Sequence, residues 1–419
     1  MRFVLASYGS RGDVEPCAAV GRELLRRGHD VRVAVAPDLV GFVESAGLPA
    51  VAYGLATSLW IRGQRDFETS LSRHFWKINE LIRSGREAWR LFAQCWEEIS
   101  TTLMPLAEGV DVLVTGLAFE GPAANVAERR DIALATLHTF PSRANGRGLR
   151  RSAGTVVEWV VWRLWRKVED AQRRQLGLPK ATGPWPWRII GRGSLEIQAY
   201  EQACFPELAA EWADSNGPNG PQRPFVGALT MELPTEADEE VLSWIAAGTP
   251  PIYFGFGSMP VESATDTSAM VGAACAELGV RALVCAGWTD FSDVPSFEHV
   301  KVVGAVNHSA IFPACRAVVH HGGAGTTAAG LRAGVPTLIL WILGDQPRWA
   351  AVVKQLKVGS GRRLSSTTTE SLVADLRTIL APRYVTRARE LATRITKPAE
   401  SVAAAADLLE DFAHSRRVG

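Results

Sequence analysis

Short apolar runs, each ended by small or polar residues, recur along the chain and predict buried strands separated by helices. Residues 2–7 form the first run, followed by a glycine-bearing loop at 8–12, a helix opening near Pro16 and an alternating strand at 31–35. Short, continuously apolar runs are typical of strands covered on both faces of a parallel sheet. Strand, loop, helix and strand in this order predict a Rossmann-like α/β domain.

The same plan continues on both sides of a turn-forming segment. Further apolar runs lie at 111–115, 132–137, 195–200, 251–259, 281–285, 300–304 and 317–319. The segment at 216–221, NGPNGP, has no apolar periodicity, as expected of a linker between domains. The predicted parts are an N-terminal domain at 1–215, a linker at 216–223, a second α/β domain at 224–385 and C-terminal helices at 386–419.

A glycine-rich turn after the strand at 317–319 is the clearest candidate for a binding site. Gly323 and Gly325 lack side chains, so backbone N–H groups can come close to a ligand there, and Thr326 lies where the next helix begins. A helix start combines unpaired N–H donors with the positive end of a dipole, and it therefore attracts phosphate. His321, before the turn, can hydrogen-bond or neutralise a phosphate oxygen.

An acid–amide pair, Asp345 and Gln346, follows the next strand. A carboxylate beside an amide is suited to forked hydrogen bonds with neighbouring hydroxyl groups. Phosphate on one side and a polyol on the other indicate a nucleotide sugar.

These two motifs, HHGGAGTTAAGLRAGVP at 320–336 and GDQP at 344–347, resemble a known family signature. They are similar to the donor-binding motif of inverting, nucleotide-sugar-dependent glycosyltransferases of the GT-B fold. The bacterial branch that decorates glycopeptides, sterols and mycobacterial lipopeptides is the most similar, from residue 1 to about residue 409. The resemblance implies two Rossmann-like domains facing across a cleft, the first for acceptor and the second for donor. It also implies a C-terminal helix that crosses back to the first domain.

In the first domain, the resemblance assigns catalysis to the loop after the first strand. Asp13 matches the general base, which would take the proton of the acceptor hydroxyl as that oxygen attacks the anomeric carbon. Alternatively, Asp13 caps the first helix, and it can do both. Ser10 and Arg11 are expected to reach the diphosphate.

The resemblance also distributes roles around the nucleotide and the acceptor. Ser258 is expected near the phosphates, Trp288 on the base, and Val306 and Asn307 near the base and ribose. On the acceptor side, Phe119 opens a helix that could edge the site, and His138 ends a strand on the same side. A lone histidine is more often structural, so that alternative stays open for His138.

Composition narrows the class of protein. The chain has 419 residues and a net charge of +1, which suits two soluble domains and implies no nucleic-acid partner. Its six cysteines have no CxxC or metal-ligand spacing, which suggests reduced thiols and a cytoplasmic protein. We expect neither a signal peptide nor a membrane span from this sequence.

The segment at 143–174 is unusually basic, with nine Arg or Lys residues against three acids. Its helical pattern places Trp159, Trp162 and Trp165 on one stripe. Such a stripe beside basic residues suits peripheral contact with the inner face of a membrane, or with a lipid-tailed acceptor. A stripe that faces the core, with a solvated basic back, is an equal alternative.

The predicted reaction is a direct displacement with inversion, without metal or cofactor, and no DxD-type diacid lies in the predicted cleft loops. The donor is a nucleoside-diphosphate hexose or deoxyhexose, with rhamnose or 6-deoxytalose types favoured because the apolar residues at 338–343 would tolerate a methyl group. The acceptor is a lipophilic hydroxyl compound, with a (glyco)peptidolipid favoured. Alternatives are a sterol or aglycone glucosyltransferase, an NAD-dependent oxidoreductase, a non-catalytic nucleotide-sugar-binding module and an epimerase of the same fold.

Overall fold

The structure is a computed structural model that describes residues 1–59, 63, 78–145, 149–215, 221–257, 263–287, 297–342 and 344–418. Contacts divide the chain into two compact units. The first comprises Met1–Ala199, Glu207–Leu229 and Ala399–Gly419, and the second comprises Tyr200–Pro206 and Thr230–Pro398.

The first unit contains a parallel sheet flanked by helices. Its strands are β1 (Arg2–Ser7), β2 (Asp30–Val35), β3 (Ala50–Ala52), β4 (Val112–Gly116), β5 (Ala133–His138) and β6 (Leu195–Gln198). The six strands lie in the order β3-β2-β1-β4-β5-β6. Its helices include α1 (Arg11–Arg26), α2 (Val40–Ser45), α3 (Ile78–Leu106), α4 (Glu120–Arg130), α5 (Leu149–Gln175), α6 (Trp185–Gly191) and α7 (Pro206–Ser215).

The second unit repeats this architecture. Its strands are β7 (Ile252–Gly255), β8 (Ala282–Cys285), β9 (Val300–Val303), β10 (Ala317–His320), β11 (Thr337–Trp341) and β12 (Gly359–Arg363). The helices that follow α7 are α8 (Asp238–Ala246), α9 (Ala264–Leu278), α10 (His308–Ile311), α11 (Ala324–Ala333), α12 (Gln346–Gln355), α13 (Thr369–Ile379), α14 (Pro382–Ala392) and α15 (Pro398–Val418). The strand order is β12-β11-β10-β7-β8-β9. Numbered within each unit, both sheets have the Rossmann order 3-2-1-4-5-6.

This order determines where a ligand can bind in each unit. Strand order reverses between β1 and β4 in the first sheet, and between β7 and β10 in the second. In open parallel sheets, ligands bind beyond the carboxyl ends of the strands at such a switch point. The turns that follow β1 and β10 are therefore the places to search.

The strands predicted from apolar runs are all present, and two further strands were missed. β3 has three residues, and β12 has the sequence GSGRR, which carries no apolar pattern. β12 pairs with β11 along the sheet edge, and glycine is required there. A Cβ at Gly359 would lie 2.0 Å from the Thr337 carbonyl oxygen, and one at Gly361 would lie 2.6 Å from the Ala350 Cβ.

The start of α1 also differs from the prediction. The helix begins at Arg11 and not near Pro16, which lies inside it. A capping box between Ser10 and Asp13 stabilises this earlier start.

The units change at places other than the predicted linker. Residues 216–220 of that linker lie outside the described residues, and 224–229 belong to the first unit. Helix α14 belongs to the second unit. Helix α15 belongs to the first unit, where Arg27 pairs with Asp407 at 2.6 Å and His29 meets Glu410 at 2.5 Å.

The cysteines and the helices bear on the predictions of reduced thiols and of no membrane span. All six cysteines are free and buried. Among the helices in the described ranges, none combines the length and apolar character that a membrane span requires.

Candidate functional site

The loops at the carboxyl edge of the second sheet converge around His321. A Cβ at Gly257, after β7, would lie 2.9 Å from the His321 Cε1 atom. A Cβ at Gly322 would lie 3.1 Å from the Cβ of Gln346. The glycine turn after β10 and the acid–amide pair after β11 are therefore neighbours, as the predicted binding of one ligand by both requires.

Helix α11 begins at this edge without a cap from a side chain. Its N-cap is Gly323, and no side chain of the described residues hydrogen-bonds the first turn as a cap. A Cβ at Gly323 would lie 2.7 Å from the His321 Nε2 atom, so glycine is needed to leave room for the ring. A Cβ at Gly325 would meet only the Thr230 Cγ2 atom, at 3.8 Å. The N–H groups of the first turn thus end at an open helix terminus, which favours anions.

His321 is a neutral hydrogen-bonding group at this terminus. Burial lowers the pKa of His321 and a hydrogen bond with the Gly255 carbonyl raises it, and the net result is a decrease from 6.5 to about 4. Its Nε2 atom lies on the side of Gly323, at the start of α11. At neutral pH the ring can therefore hydrogen-bond a phosphate oxygen, but it does not carry a charge that neutralises one before the ligand binds.

His320, which the sequence did not single out, supports the turn. Its ring is fully buried, and its Nδ1 atom accepts a hydrogen bond of 3.0 Å from the Gly322 N–H. Burial lowers the pKa of His320 well below its usual value. The two histidines thus have different roles: His320 stabilises the turn, and His321 faces the start of α11.

Asp345 and Gln346 are both held by their surroundings. Asp345 is the N-cap residue of α12, and its Oδ2 atom accepts a hydrogen bond of 3.1 Å from the Trp349 indole. Burial raises the pKa of Asp345. The Gln346 Oε1 atom accepts a 2.7 Å hydrogen bond from the Ile342 N–H. These contacts fix the two side chains at the start of α12, where Gln346 lies beside Gly322.

Of the other four residues of the second unit predicted to contact the donor, the structure describes Val306 and Asn307. Ser258 and Trp288 lie outside the described residues. The Val306 side chain is buried in the core. Asn307 caps α10, because its Oδ1 atom accepts a hydrogen bond of 3.1 Å from the Ser309 N–H. The side chains of Val306 and Asn307 thus have structural roles in this loop.

Most of the apolar run at 338–343 is not available to a donor sugar, contrary to the prediction. Leu338, Ile339 and Leu340 are fully buried β11 residues, so they cannot line a pocket for a methyl group. Residue 343 lies outside the described residues, and only Trp341 and Ile342 of the apolar run are partly exposed.

In the first unit, Asp13 closes the start of α1. Its Oδ2 atom accepts hydrogen bonds from the Ser10 N–H at 2.7 Å and from the Ser10 hydroxyl at 3.0 Å. Gly9 has a φ of 132°, and a Cβ there would lie 2.3 Å from the same oxygen. The capping role is thus present, and the carboxylate remains exposed beyond β1, where a general base would be useful.

Arg11 has partners along its own helix. Its Nε atom lies 3.4 Å from the Glu15 carboxylate, and its guanidinium lies 4.7 Å from the centre of the Phe42 ring. The side chain is half exposed. These contacts hold Arg11 against α2.

Phe119 has an unusual backbone. It is the N-cap of α4 with a φ of 60°, a left-handed conformation that costs a bulky residue energy and is most often found at functional sites. Its ring packs against Tyr8 at 5.0 Å and Phe92 at 5.1 Å. Tyr8 follows β1 and Phe119 follows β4, so the aromatic contact lies at the switch point of the first sheet.

His138 is fully buried in an ionic network, which favours the structural alternative for this residue. Its Nε2 atom lies 2.7 Å from the Glu120 carboxylate, which also accepts a hydrogen bond of 2.8 Å from Arg143. Arg143 donates to Glu196 at 2.5 Å. Burial would raise the pKa of Glu120, but the charge of Arg143 and the contacts with His138 lower it to about 2. No local motif signals this network, because Arg143 and Glu196 are separated by 53 residues.

Comparison with known proteins identifies the family. The glycosyltransferase family 28 N-terminal domain matches residues 3–152, and the erythromycin biosynthesis protein CIII-like C-terminal domain matches residues 260–408. An uncharacterized glycosyltransferase of Mycobacterium tuberculosis is 60% identical over 426 residues, covering 100% of both chains. The chain belongs to the glycosyltransferases. A sterol 3-beta-glucosyltransferase of Arabidopsis thaliana is 28% identical, covering 97% of this glycosyltransferase and 67% of the plant protein.

Solved structures agree on the fold. The glycotransferase of kitacinnamycin superposes with a TM-score of 0.69 at 18% identity, covering 98% of each chain. The glycosyltransferase VinC in complex with DTDP superposes with a TM-score of 0.64 at 18% identity, covering 100% of each chain. The two Rossmann-like units of this glycosyltransferase therefore have the GT-B fold.

Proposed function

We propose that this glycosyltransferase transfers a hexose or deoxyhexose from a nucleoside-diphosphate sugar to a hydroxyl group of a lipophilic acceptor. The observation that carries the donor is the start of α11, where N–H groups without a side-chain cap lie beside the His321 Nε2 atom. This arrangement binds an anion without a cationic side chain. Asp345 and Gln346, which adjoin the same turn, would bind the hydroxyl groups of the sugar.

The proposed chemistry is a single displacement that inverts the anomeric carbon and needs no metal. Asp13 accepts the proton of the attacking hydroxyl group, while the C–O bond to the diphosphate breaks. The dipole of α11 and a hydrogen bond from His321 stabilise the charge that collects on the departing diphosphate. Asp13 can cap α1 and act as base at once, because a carboxylate has several acceptor sites.

The closest rival from another class is an NAD-dependent oxidoreductase, and the start of α1 speaks against it. A dinucleotide fold places pyrophosphate on the N-terminus of the first helix. Here that position holds the Asp13 carboxylate, which accepts two hydrogen bonds from Ser10. A second anion would be repelled there.

The proposed identities of the sugar and of the acceptor rest on similarity to other proteins more than on the geometry of the site. A deoxyhexose such as rhamnose or 6-deoxytalose on a (glyco)peptidolipid is our first proposal, because the sequence motifs resemble those of mycobacterial lipopeptide glycosyltransferases. VinC was crystallised with DTDP, which supports a thymidine diphosphate donor. Glucose transfer to a sterol is the second candidate, supported by the 28% identity to the plant sterol enzyme.

A thermal-shift panel tests this proposal. We expect one nucleoside diphosphate, with thymidine favoured, to raise the melting temperature, and its cognate sugar derivative to raise it further. Nicotinamide dinucleotides should have no effect. With the best donor, slow release of free nucleoside diphosphate distinguishes an enzyme from a binding module. A panel in which only nicotinamide dinucleotides stabilise the protein would refute the proposal.

A further inference from the structure

Helix α5 presents an aliphatic surface to solvent, which we call the α5 face. It consists of Val156, Val157, Val160, Val161 and Leu164, whose exposures range from 38% to 64%. Residues four apart lie on one side of a helix, so these five form two adjacent rows over about two turns. Contiguous exposed aliphatic side chains of this kind mark an interaction surface.

The predicted tryptophan stripe is not this surface. Trp162 is buried, and its indole donates a 2.7 Å hydrogen bond to Glu169. The Trp165 ring stacks on Phe92 at 3.8 Å. Only Trp159 is largely exposed, at the margin of the α5 face with the Arg163 guanidinium 5.3 Å above its ring.

Polar contacts on the inner side prevent the helix from rotating to bury its aliphatic rows. Gln172 accepts hydrogen bonds of 2.7 Å from both Trp96 and Asn125. Arg173 donates to Asn125 at 2.8 Å and to Glu128 at 2.7 Å. Rotation would leave these buried groups unpaired, at a larger cost than exposing aliphatic carbon. The outward direction of the α5 face is therefore fixed by the fold.

The charges beside the α5 face are positive. Arg163 and Lys167 are exposed and follow Val160 and Leu164 by three residues, so they lie at the edge of the α5 face, and the exposed Arg174 lies further along the helix. The three acids of the helix are engaged elsewhere: Glu158 accepts from Trp187 at 2.9 Å, Glu169 is buried, and Asp170 lies 3.6 Å from Arg166. Of the nine basic residues in this segment, Arg143 and Arg173 are buried in ion pairs and do not contribute to the surface.

We infer that the α5 face rests on an anionic lipid bilayer. Its aliphatic rows would enter the boundary between head groups and acyl chains, with the cations at lipid phosphates and Trp159 at the interface. A second copy of the chain fits less well, because two such faces packed together would bring their cations close to each other. This inference does not depend on which sugar is transferred, and it would give the enzyme access to a lipophilic acceptor.

Co-sedimentation of the full chain with vesicles tests the inference. The probes are phosphatidylcholine vesicles and vesicles in which about one third is phosphatidylglycerol. We expect binding to the anionic vesicles, weakened by salt because the Debye length shortens. Leu164→Glu should lower the partition coefficient about tenfold, because it places a charge among the acyl chains. Leu242→Glu, at an exposed leucine on α8 in the other unit, is the matched control and should bind like the unaltered chain.

A second variant tests the cations separately. Arg163→Gln combined with Lys167→Gln should remove most of the preference for anionic over neutral vesicles. Melting temperature and the thermal shift by nucleoside diphosphates should stay unchanged in all variants, which separates this inference from the proposed function. Absence of sedimentation by the unaltered chain, or equal sedimentation by Leu164→Glu, would overturn it. A dimer that Leu164→Glu dissolves, without vesicle binding, would assign the α5 face to a second copy.

Discussion

The turn after β1 and the turn after β10 have the same plan and opposite chemistry. Each leads from a buried strand through glycine into a helix at the switch point of its sheet. In the first, the third residue of the helix is Asp13, whose carboxylate closes the helix start on Ser10. In the second, the third residue is Thr326, and the start of α11 has no side-chain cap among the described residues.

The glycine before each helix leaves room for a different side chain. Gly9 leaves room for the Asp13 carboxylate, and Gly323 leaves room for the His321 ring. The comparison teaches that the start of a helix is available to an anionic ligand only when no acidic side chain of the protein already caps it. The first turn holds an exposed carboxylate in place, and the second offers unpaired donors to a ligand.

The largest effect is expected from Asp13→Asn. The amide can still accept the capping hydrogen bond but cannot take a proton, so turnover should fall by about 10²- to 10⁴-fold. Donor affinity, measured by calorimetry, should be kept. Ser371→Ala is the control, because it removes the third residue of a comparable capping box in α13. If both variants lose similar stability and both keep turnover, Asp13 is only a cap.

A second change makes α11 resemble α1. Thr326→Asp would place a carboxylate at the third helix position, where it can cap the helix and repel an incoming phosphate. Affinity for the nucleoside diphosphate should fall about 10²-fold relative to Thr326→Asn, measured by calorimetry. Stability should be kept or slightly raised, because an acid near a helix start is favourable. Equal affinities for the Asp and Asn variants would show that the diphosphate binds elsewhere.

His321→Ala should weaken nucleoside diphosphate binding about tenfold by removing one hydrogen bond to phosphate. The pH dependence has a definite sign. The pKa of His321 is lowered to about 4 from 6.5, so in this window the unfolded chain binds the extra proton and folding is disfavoured as the pH falls.

Two measurements check this. The melting temperature of His321→Gln should decrease less than that of the unaltered protein between about pH 6.5 and pH 4.5. Bound phosphate should raise the pKa of His321, so affinity should increase on acidification in the unaltered protein, relative to the variant. Parallel pH profiles for both proteins would contradict the contact with phosphate.

The smallest effect is expected from Asp345→Asn. The amide oxygen can still accept from the Trp349 indole, so the fold of the loop should survive. Affinity for the nucleoside diphosphate should be unchanged, while affinity for its sugar derivative should fall about fivefold. Asp375→Asn, at a carboxylate of α13 that pairs with Arg362, is the control. Loss of affinity for both ligands would mean that Asp345 supports the turn and does not contact the sugar.

The sequence predicted the strands, the two Rossmann-like units and the turn after β10. These follow from local requirements: apolar runs for strands buried on both faces, and glycine where a turn approaches a helix start. β12 could not be predicted from its sequence, because its glycines are required by close contacts with Thr337 and Ala350, which lie in other elements. Helix α1 starts earlier than predicted because Ser10 and Asp13 form a capping box before Pro16.

Other features were decided only by the tertiary structure. The sequence left His138 open between an acceptor-side residue and a structural one, and only the fold places Glu120 and Arg143 around it. On α5, spacing grouped the tryptophans, but contacts with Glu169 and Phe92 turned two of them inward and left the aliphatic rows outside. Periodicity shows which residues share a face of a helix, but partners far along the chain decide which face is buried. The physical reason is that an unpaired buried polar group costs more than exposed aliphatic carbon, and only the fold brings its partners together.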